Sequence, residues 1–270
     1  MTRTRAVGSK LPDRVSEHNL TLVAAGVAFY AFLALVPALI ALVSIYGLFS
    51  NPEDVKRQVE DIGSSLPKEV QNFLVYQLTQ IVNANNAGVS IAAFVAIALA
   101  LWSASGGMAA LITGIHIAHG KDEPKKFIAK RGKALLFTLA ALVFLGAVIF
   151  LIVAVPPLAS DAAGSTGRLV FEILRWPILA ATMLLGIGLL YRFSVKDTET
   201  GWAGFLTAGA VVAMIAWLVV SALFAAYTAN FASYGKTYGA LASIVVVLLW
   251  LWLSSLVILI GAEADGADGG

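Results

Sequence analysis

The chain contains no cysteine and few charged side chains, since Asp, Glu, Lys and Arg together make up 13% of its 270 residues. The absence of cysteine excludes a disulfide framework and a thiolate metal site. Soluble domains average about 25% charged residues, so a chain this poor in charge is not an ordinary soluble domain. The formal net charge of +2 is also too small to indicate a nucleic-acid partner, and none is predicted.

In place of charge the chain has long apolar runs, and 59% of its residues are hydrophobic. The clearest run extends from Tyr238 to Ala262 without one Asp, Glu, Lys, Arg or His. A helix needs about 20 such residues to cross a bilayer, and it satisfies its own backbone groups in lipid. We therefore predict an all-α, polytopic membrane helical bundle that forms a single domain over 1–270 in the lipid bilayer. Its six transmembrane helices are predicted at 20–49, 88–117, 134–156, 175–193, 202–230 and 238–262.

The distribution of Lys and Arg predicts an orientation. If the six spans alternate, one side of the membrane carries twice as many of these residues as the other. The loop 121–133 supplies half of the Lys and Arg on the richer side. Cytoplasmic loops carry such an excess, so both termini are predicted to be cytoplasmic. The same basic loop is a candidate for contact with anionic lipid, which attracts Lys and Arg near the membrane surface.

The polar segment 50–87 then lies on the external side. Val55, Val59 and Ile62 recur at helical spacing, and a second apolar set follows Pro67. This periodicity predicts two short amphipathic helices. They either lie on the membrane surface or cap the bundle, because fewer than 40 residues are too few for a soluble core of their own.

Pro37 lies inside the 30-residue first span. A proline in a helix removes a hydrogen bond and clashes with the preceding turn, so a kink or an interruption near Leu33 is predicted. Two interpretations remain open. The proline either shapes the helix for packing or forms a hinge that lines a cavity.

The second span contains several small residues. They recur at helical spacing and predict a face where neighbouring helices approach closely. The hydroxyl groups of Ser103, Ser105 and Thr113 offer an alternative, since they can line a polar path. The small residues predicted for helix packing are Gly106, Gly107, Ala110 and Gly114.

Tyrosines surround the short external turn between the fifth and sixth spans. Tyr227, Tyr234 and Tyr238 cluster there with Asn230 and Lys236. Tyrosine at a membrane boundary is typical of an aromatic belt. An extracellular gate is the alternative, because many hydrogen-bonding groups share one short connection.

Glu263 and Arg192 are the charges closest to span ends on the cytoplasmic side. A carboxylate at a helix C-terminus opposes the macrodipole, so Glu263 needs a partner from elsewhere. Arg192 or a basic residue of 121–133 is predicted to form that salt bridge.

The three histidines, His18, His116 and His119, lie near one membrane face. No carboxylate or cysteine stands beside them at the spacing of a metal site. We therefore predict neither a bound metal nor a cofactor.

Three segments resemble a known family: AAGVAFYAFLALVPALIAL, LWSASGGMAALITGI and FASYGKTYGALASIVVVLLWLWLSSLVILIGAE. They are similar, in order and spacing, to the BrkB/YihY-type family of bacterial inner-membrane proteins, formerly described as ribonuclease BN. The chain departs from the family after Tyr191-Arg192-Phe193 and in its short tail ADGADGG. The resemblance implies an inner-membrane location and an envelope-related role. The matching positions are Ala28, Tyr30, Pro37, Trp102, Ser103, Gly107, Tyr191, Arg192, Tyr227, Tyr238, Gly239, Trp250, Gly261, Ala262 and Glu263.

The older nuclease description finds no support in these residues, because metal-dependent phosphodiester hydrolysis needs clustered acidic or histidine ligands. We therefore predict that the protein is not an enzyme. The leading hypothesis is a transporter or translocator of a lipid or a small neutral or amphipathic solute. The alternative is a membrane scaffold or envelope assembly factor that recruits partners through 50–87 and 121–133. A hydrophilic cavity bounded by the first, second, fifth and sixth spans would favour transport. The candidate pathway or gate residues are Tyr30, Pro37, Trp102, Ser103, Ser105, Arg192, Tyr227, Asn230, Tyr234, Tyr238 and Glu263.

Overall fold

The computed structural model describes residues 11–49, 91–121, 127–153, 174, 177–195, 207–231 and 240–268. These residues form helices and the turns beside them, without strands. The predicted amphipathic segment 50–87 and the tyrosine-rich turn at 232–239 lie outside the described residues. The helices are α1 (Leu11–Glu17), α2 (Leu20–Phe49), α3 (Ile91–Ala118), α4 (Phe127–Val153), α5 (Pro177–Val195), α6 (Ala208–Phe231) and α7 (Ala240–Asp268).

The helices have the length and composition of membrane spans. Within the described residues, α3 to α7 each contain a stretch long and apolar enough to cross a bilayer, and the bent pair α1–α2 provides a sixth candidate. Large apolar side chains such as Leu22, Val143 and Leu223 are exposed on their surfaces, as expected where lipid replaces water. The prediction of an all-α, polytopic membrane protein is confirmed.

The break in the first span lies at Asn19 and not near Leu33. Asn19 has a positive φ of 51°, and the axes of α1 and α2 differ by 60° there. Asparagine is one of the few residues that adopt this left-handed conformation readily. Of the kink or interruption predicted near Leu33, the interruption is wrong, because α2 continues through Pro37 to Phe49, whereas the kink stays a prediction.

The basic stretch 121–133 is only partly a loop. A glycine ends α3, since Gly120 has a φ of 61° and the Lys121 N–H donates to His116 O at 3.0 Å. This pairing is the usual way in which glycine stops a helix. Residues from Phe127 onward already belong to α4, so Lys130 and Lys133 project from its first two turns.

The chain divides into two compact units, one made of Met1–Phe32 and Gly107–Gly270 and the other of Leu33–Gly106. The contacts that position the functional site all lie within the first unit. Its core contains Leu20, Ala24, Ile115, Ala118, Ile187, Tyr191, Ala210, Ala213, Leu259 and Ala262.

Helices α6 and α7 pack as an antiparallel pair around two glycines. A Cβ atom at Gly261 would lie 2.6 Å from each of Gly209 O, Ala213 Cβ and Tyr191 Oη. Further along the pair, the Trp217 Nε1–H donates to Ser254 Oγ at 3.2 Å. Small residues let membrane helices approach to this distance, so Gly261 fixes the separation of α6 and α7.

The predicted packing stripe of α3 is used unevenly. A Cβ atom at Gly114 would lie 2.9 Å from Leu259 Cδ2 of α7 and 3.2 Å from Val23 Cγ1 of α2, whereas one at Gly106 would meet nothing within 4 Å. Gly107 is buried and Ala110 is half-buried. The close approach of α3 is therefore seen at Gly114.

We expect Gly261→Ala to lower the unfolding temperature of the detergent-solubilised protein by several degrees. The added methyl group overlaps backbone and side-chain atoms of α5 and α6, and such overpacking costs about 1–3 kcal/mol. The chain's six tryptophans provide the fluorescence signal for thermal unfolding. Gly146→Ala in α4 is the matched control, because a Cβ atom there meets nothing within 4 Å. Equal melting of the two variants would contradict the packing argument.

Candidate functional site

A buried carboxylate lies near the C-terminus of α7. Glu263 has no exposed surface, and its Oε1 lies 2.6 Å from Arg14 Nε. The N–H direction there does not meet hydrogen-bond geometry, so the contact is an ion pair. The His18 Nδ1–H donates to Oε2 at 2.7 Å. An isolated buried carboxylate is very costly, and these two basic partners offset that cost for Glu263. We call the end of the first unit that holds this cluster the charged end.

Both basic partners come from the same surface of the N-terminal segment. Arg14 and His18 are four residues apart, the spacing that places side chains on one face of a helix. The bend at Asn19 turns α1 away from the axis of α2, and this presents that face to α7. The predicted partner of Glu263 was Arg192 or a basic residue of 121–133, and this is wrong for these ion pairs, which come from the N-terminal segment. That segment was missed because α1 lay outside the predicted spans.

A second carboxylate of α7 caps the neighbouring helix. Asp265 Oδ1 accepts the Gly209 N–H at 2.6 Å, and Thr207 Oγ1 accepts the Ala210 N–H at 3.1 Å. The first N–H groups of a helix have no partner within it, and negative charge is favourable there. Asp265 therefore offsets its unfavourable position at the end of α7 by stabilising the start of α6.

Tyr191 connects α5 to the same cluster. It is almost fully buried, and its hydroxyl donates to Ile258 O of α7 at 2.5 Å. The His119 ring lies edge-on to the Tyr191 ring, with 6.3 Å between their centroids. Helices α1, α3, α5 and α6 are thus all held against the last turns of α7.

The histidines are engaged in ordinary structural bonds. The His116 Nδ1–H donates to Ile112 O and the His119 Nδ1–H donates to Ile115 O, each at 2.9 Å. Within the described part of the chain, no group of three or more His, Cys, Asp or Glu side chains is arranged to hold a metal ion.

A partly open groove of about 860 Å³ lies beside this cluster, between α3, α4 and α5. Phe144 and Gly186 meet in its wall, where a Cβ atom on the glycine would lie 3.2 Å from the Phe144 ring. The wall is almost entirely apolar. The lining residues are Met108, Ile112, His116, Ala129, Lys130, Gly132, Lys133, Leu136, Phe137, Ala140, Ala141, Phe144, Met183, Gly186, Ile187, Leu189, Leu190 and Phe193.

The polar side chains of the groove are gathered at the charged end. Lys130 and Lys133 of α4 and His116 of α3 lie there. Lys133 Nζ donates to Ser194 O at 2.6 Å, which places a cation on one of the last carbonyls of α5, where the helix dipole favours it. The groove follows α4 from Ala129 to Phe144, about 22 Å at 1.5 Å per residue.

The predicted pathway residues whose side chains the structure describes are not gathered at this groove, since none of those lines it. Tyr30, Trp102, Ser103 and Tyr227 are exposed, and Pro37 and Arg192 are half-buried. Ser105 is buried, and its hydroxyl donates to Trp102 O at 2.7 Å within its own helix. The side chain of Asn230 and the residues Tyr234 and Tyr238 lie outside what the structure describes. Glu263 is the member of the set that occupies the buried cluster.

The groove also lies between other helices than those named from the sequence. The cavity that would favour transport was expected to be hydrophilic and bounded by the first, second, fifth and sixth spans, whereas the described groove is apolar and lies between the second, third and fourth. Lys130 and Lys133, three residues apart at the start of a long apolar run, were the available sequence signal.

We expect Glu263→Gln to loosen α1. The amide cannot pair with the Arg14 guanidinium as a carboxylate does, and breaking a buried ion pair by removing one charge costs about 3–5 kcal/mol. Trypsin should cleave after Arg14 several-fold faster in this variant, measured by mass spectrometry of the detergent-solubilised protein. Glu17→Gln is the control, because Glu17 lies exposed on the same helix. An unchanged cleavage rate at Arg14 in Glu263→Gln would show that the ion pair does not hold α1.

Comparison with known proteins gives the chain its relatives. The family described as Virulence factor BrkB matches residues 11–267. The ribonuclease-like protein YfkH of Bacillus subtilis is 28% identical over 262 residues, covering 95% of this chain and 92% of YfkH. A UPF0761 membrane protein of a Janthinobacterium species is 26% identical over 264 residues, and this chain spans 57% of its length. No solved structure matches the chain significantly. Because the family match covers nearly the whole chain, including the buried carboxylate cluster and the groove, the chain belongs to the BrkB family of bacterial membrane proteins.

Proposed function

We propose that this protein translocates a lipid or another amphipathic molecule in the bacterial inner membrane. The observation that carries the proposal is the groove between α3, α4 and α5, which is apolar along its length and cationic at one end. Its lining matches a molecule with a hydrocarbon body and a polar head. Ligand pockets of proteins commonly measure about 300–1,000 Å³, so the volume suits an acyl chain with part of a headgroup.

The placement of charge supports movement of an amphipathic molecule over ion-coupled transport. Every Asp, Glu, Lys, Arg and His of the described helices lies near the charged end, and α6 contains none. Carriers driven by protons or sodium ions usually hold ionisable groups near the middle of the membrane. A passive or lipid-driven process fits the described helices better.

The same charges support an orientation. The charged end includes Lys130, Arg131 and Lys133 together with the N-terminal helix α1. Since Lys and Arg accumulate on the cytoplasmic side, we assign the charged end to the cytoplasm and place both termini there. The groove then opens at the cytoplasmic leaflet. Its length of about 22 Å exceeds half of the roughly 30 Å hydrocarbon core, so it passes the midplane.

We do not extend the ribonuclease-like description of YfkH to this chain. Glu263 is held by Arg14 and His18, and His116 is bonded to its own helix, so neither is positioned as a general acid or base beside a basic cleft. Purified protein incubated with labelled RNA and a divalent metal should release no more product than His116→Ala. Cleavage by the wild type that the variant loses would overturn this part of the proposal.

A bulky side chain in the groove should slow translocation. We expect Ala140→Trp to reduce the transfer of fluorescent lipid between leaflets of proteoliposomes at least several-fold, because the indole fills space that the acyl chain needs. The rate is measured as the fraction of labelled lipid that an external reductant can reach over time.

Leu139→Trp is the matched control, since Leu139 is exposed on α4 and does not line the groove. It should retain the wild-type rate. Equal rates in protein-containing and protein-free vesicles, for labelled lipids of several headgroups, would count against translocation and favour a scaffold role.

A further inference from the structure

We infer that the groove selects lipids with a free hydroxyl group, which forms a hydrogen bond with His116 Nε2 while a hydrocarbon chain follows the apolar wall of α3. The inference rests on the proposed function, and it specifies the ligand class of the same groove and the residue that recognises it. The hydroxyl belongs either to the glycerol backbone of the lipid or to its headgroup. Both sources offer the same chemistry to the histidine.

His116 has one satisfied and one unsatisfied ring nitrogen. Its Nδ1–H donates to Ile112 O at 2.9 Å, and within the described part of the chain Nε2 has no hydrogen-bond partner. A carbonyl oxygen can only accept, so the hydrogen lies on Nδ1, and Nε2 of the neutral ring is an acceptor. Polar atoms in a protein interior are rarely left without a partner. A partner from outside the protein is therefore expected at Nε2.

The unsatisfied nitrogen is reachable from the groove. Only 5% of His116 is exposed, and the residue lines the groove wall. Its Nε2 is not among the side-chain atoms that the described structure seals from the surface without a hydrogen bond. A nearly buried ring that keeps its acceptor accessible on the groove side can bind a ligand that enters there.

Helix α3 places the histidine at the polar end of an apolar stripe. Met108, Ile112 and His116 recur at four-residue spacing, which puts them on one face of the helix, and all three line the groove. The stripe is about 12 Å long at 1.5 Å per residue, with His116 at the charged end. A lipid whose hydroxyl meets His116 therefore places its hydrocarbon chain beside Ile112 and Met108.

The chemistry of Nε2 favours a hydroxyl over the other polar groups of lipids. A hydroxyl both donates and accepts, so it can bond to Nε2 of the neutral ring or of the imidazolium. Phosphate and ester oxygens only accept, and they cannot bond to the neutral ring. An ammonium group donates, but burying it beside an apolar wall costs more free energy than burying a hydroxyl.

The absence of cysteine makes a direct test possible. Met183→Cys carries a single bimane fluorophore in the groove, and Val143→Cys carries it on the exposed face of α4, outside the groove lining. Each labelled protein is placed in nanodiscs that contain one brominated lipid as a minor component. Quenching as a function of the brominated lipid fraction gives the relative association of that lipid with each position.

The lipids are compared in pairs that differ in their hydroxyl groups. Lysophosphatidylcholine and its 2-O-methyl ether test the glycerol hydroxyl, and phosphatidylglycerol and phosphatidylmethanol test the headgroup hydroxyls at equal charge. We expect the hydroxyl lipid of at least one pair to associate with the groove about tenfold more strongly, the effect of one hydrogen bond to an otherwise unsatisfied buried group. The pair that shows the preference identifies the source of the hydroxyl. No preference is expected at Val143→Cys.

Variants assign the preference to His116. His116→Phe should abolish it, because the phenyl ring fills the space but has no acceptor. His116→Gln should keep part of it, because the amide oxygen accepts a hydrogen bond. His119→Phe is the matched control and should retain the wild-type preference, since His119 bonds to its own helix in the same way and does not line the groove.

The outcomes separate this inference from the proposed function. Equal quenching of the groove reporter within both pairs, in the wild-type background, would overturn the hydroxyl selectivity and leave lipid translocation standing. A preference that persists in His116→Phe would overturn it as well. Stronger quenching by phosphatidylethanolamine than by phosphatidylglycerol, lost in His116→Phe, would assign Nε2 to an ammonium donor instead. Quenching at Val143→Cys with none in the groove would remove both proposals.

Discussion

The fully buried carboxylate of Glu263 is the constraint on which the rest of the first unit depends. A charge without solvent must have partners, and its partners Arg14 and His18 belong to the opposite terminus of the chain. The N-terminal segment must therefore fold back over the end of α7, which requires the left-handed backbone at Asn19. Removing one partner of such a pair is more costly than never having formed it, so the three residues act as one unit.

The segment from Gly261 to Asp265 serves a different neighbour at almost every position. Gly261 allows α6 and the Tyr191 hydroxyl to pack closely, and Ala262 lies in the core. Glu263 binds the N-terminal segment, and Asp265 caps α6. This explains why two acidic residues stand at a helix C-terminus, where the macrodipole alone disfavours them. Their benefit comes from the N-terminus of an antiparallel helix and from basic side chains of another segment.

The fold class was predictable from the sequence, because apolar runs of this length without charge have few possible structures other than a membrane-spanning helix. Glu263 was recognisable too, since its position contradicts the dipole. Its partners were not, because His18 lies 245 residues away and α1 looked like a polar tail. The groove was unpredictable for another reason. Apolar runs look alike in sequence, and only the packing of three helices shows where Gly186 and Phe144 leave space.

Helix α5 has one face in the fixed, buried part of the first unit and the other face in its accessible part. Tyr191 joins one face to the buried end of α7, whereas Lys133 and Phe144 contact the other from α4. Among α3 to α7, helix α4 is the least buried, with 11% of its apolar stretch covered. A helix with so little packed surface separates from its neighbour at lower cost than one held in a core. Lys133 belongs to both parts, because it lines the groove and its ammonium group donates to the Ser194 carbonyl. The wall of the groove and the contact between α4 and α5 therefore share one side chain.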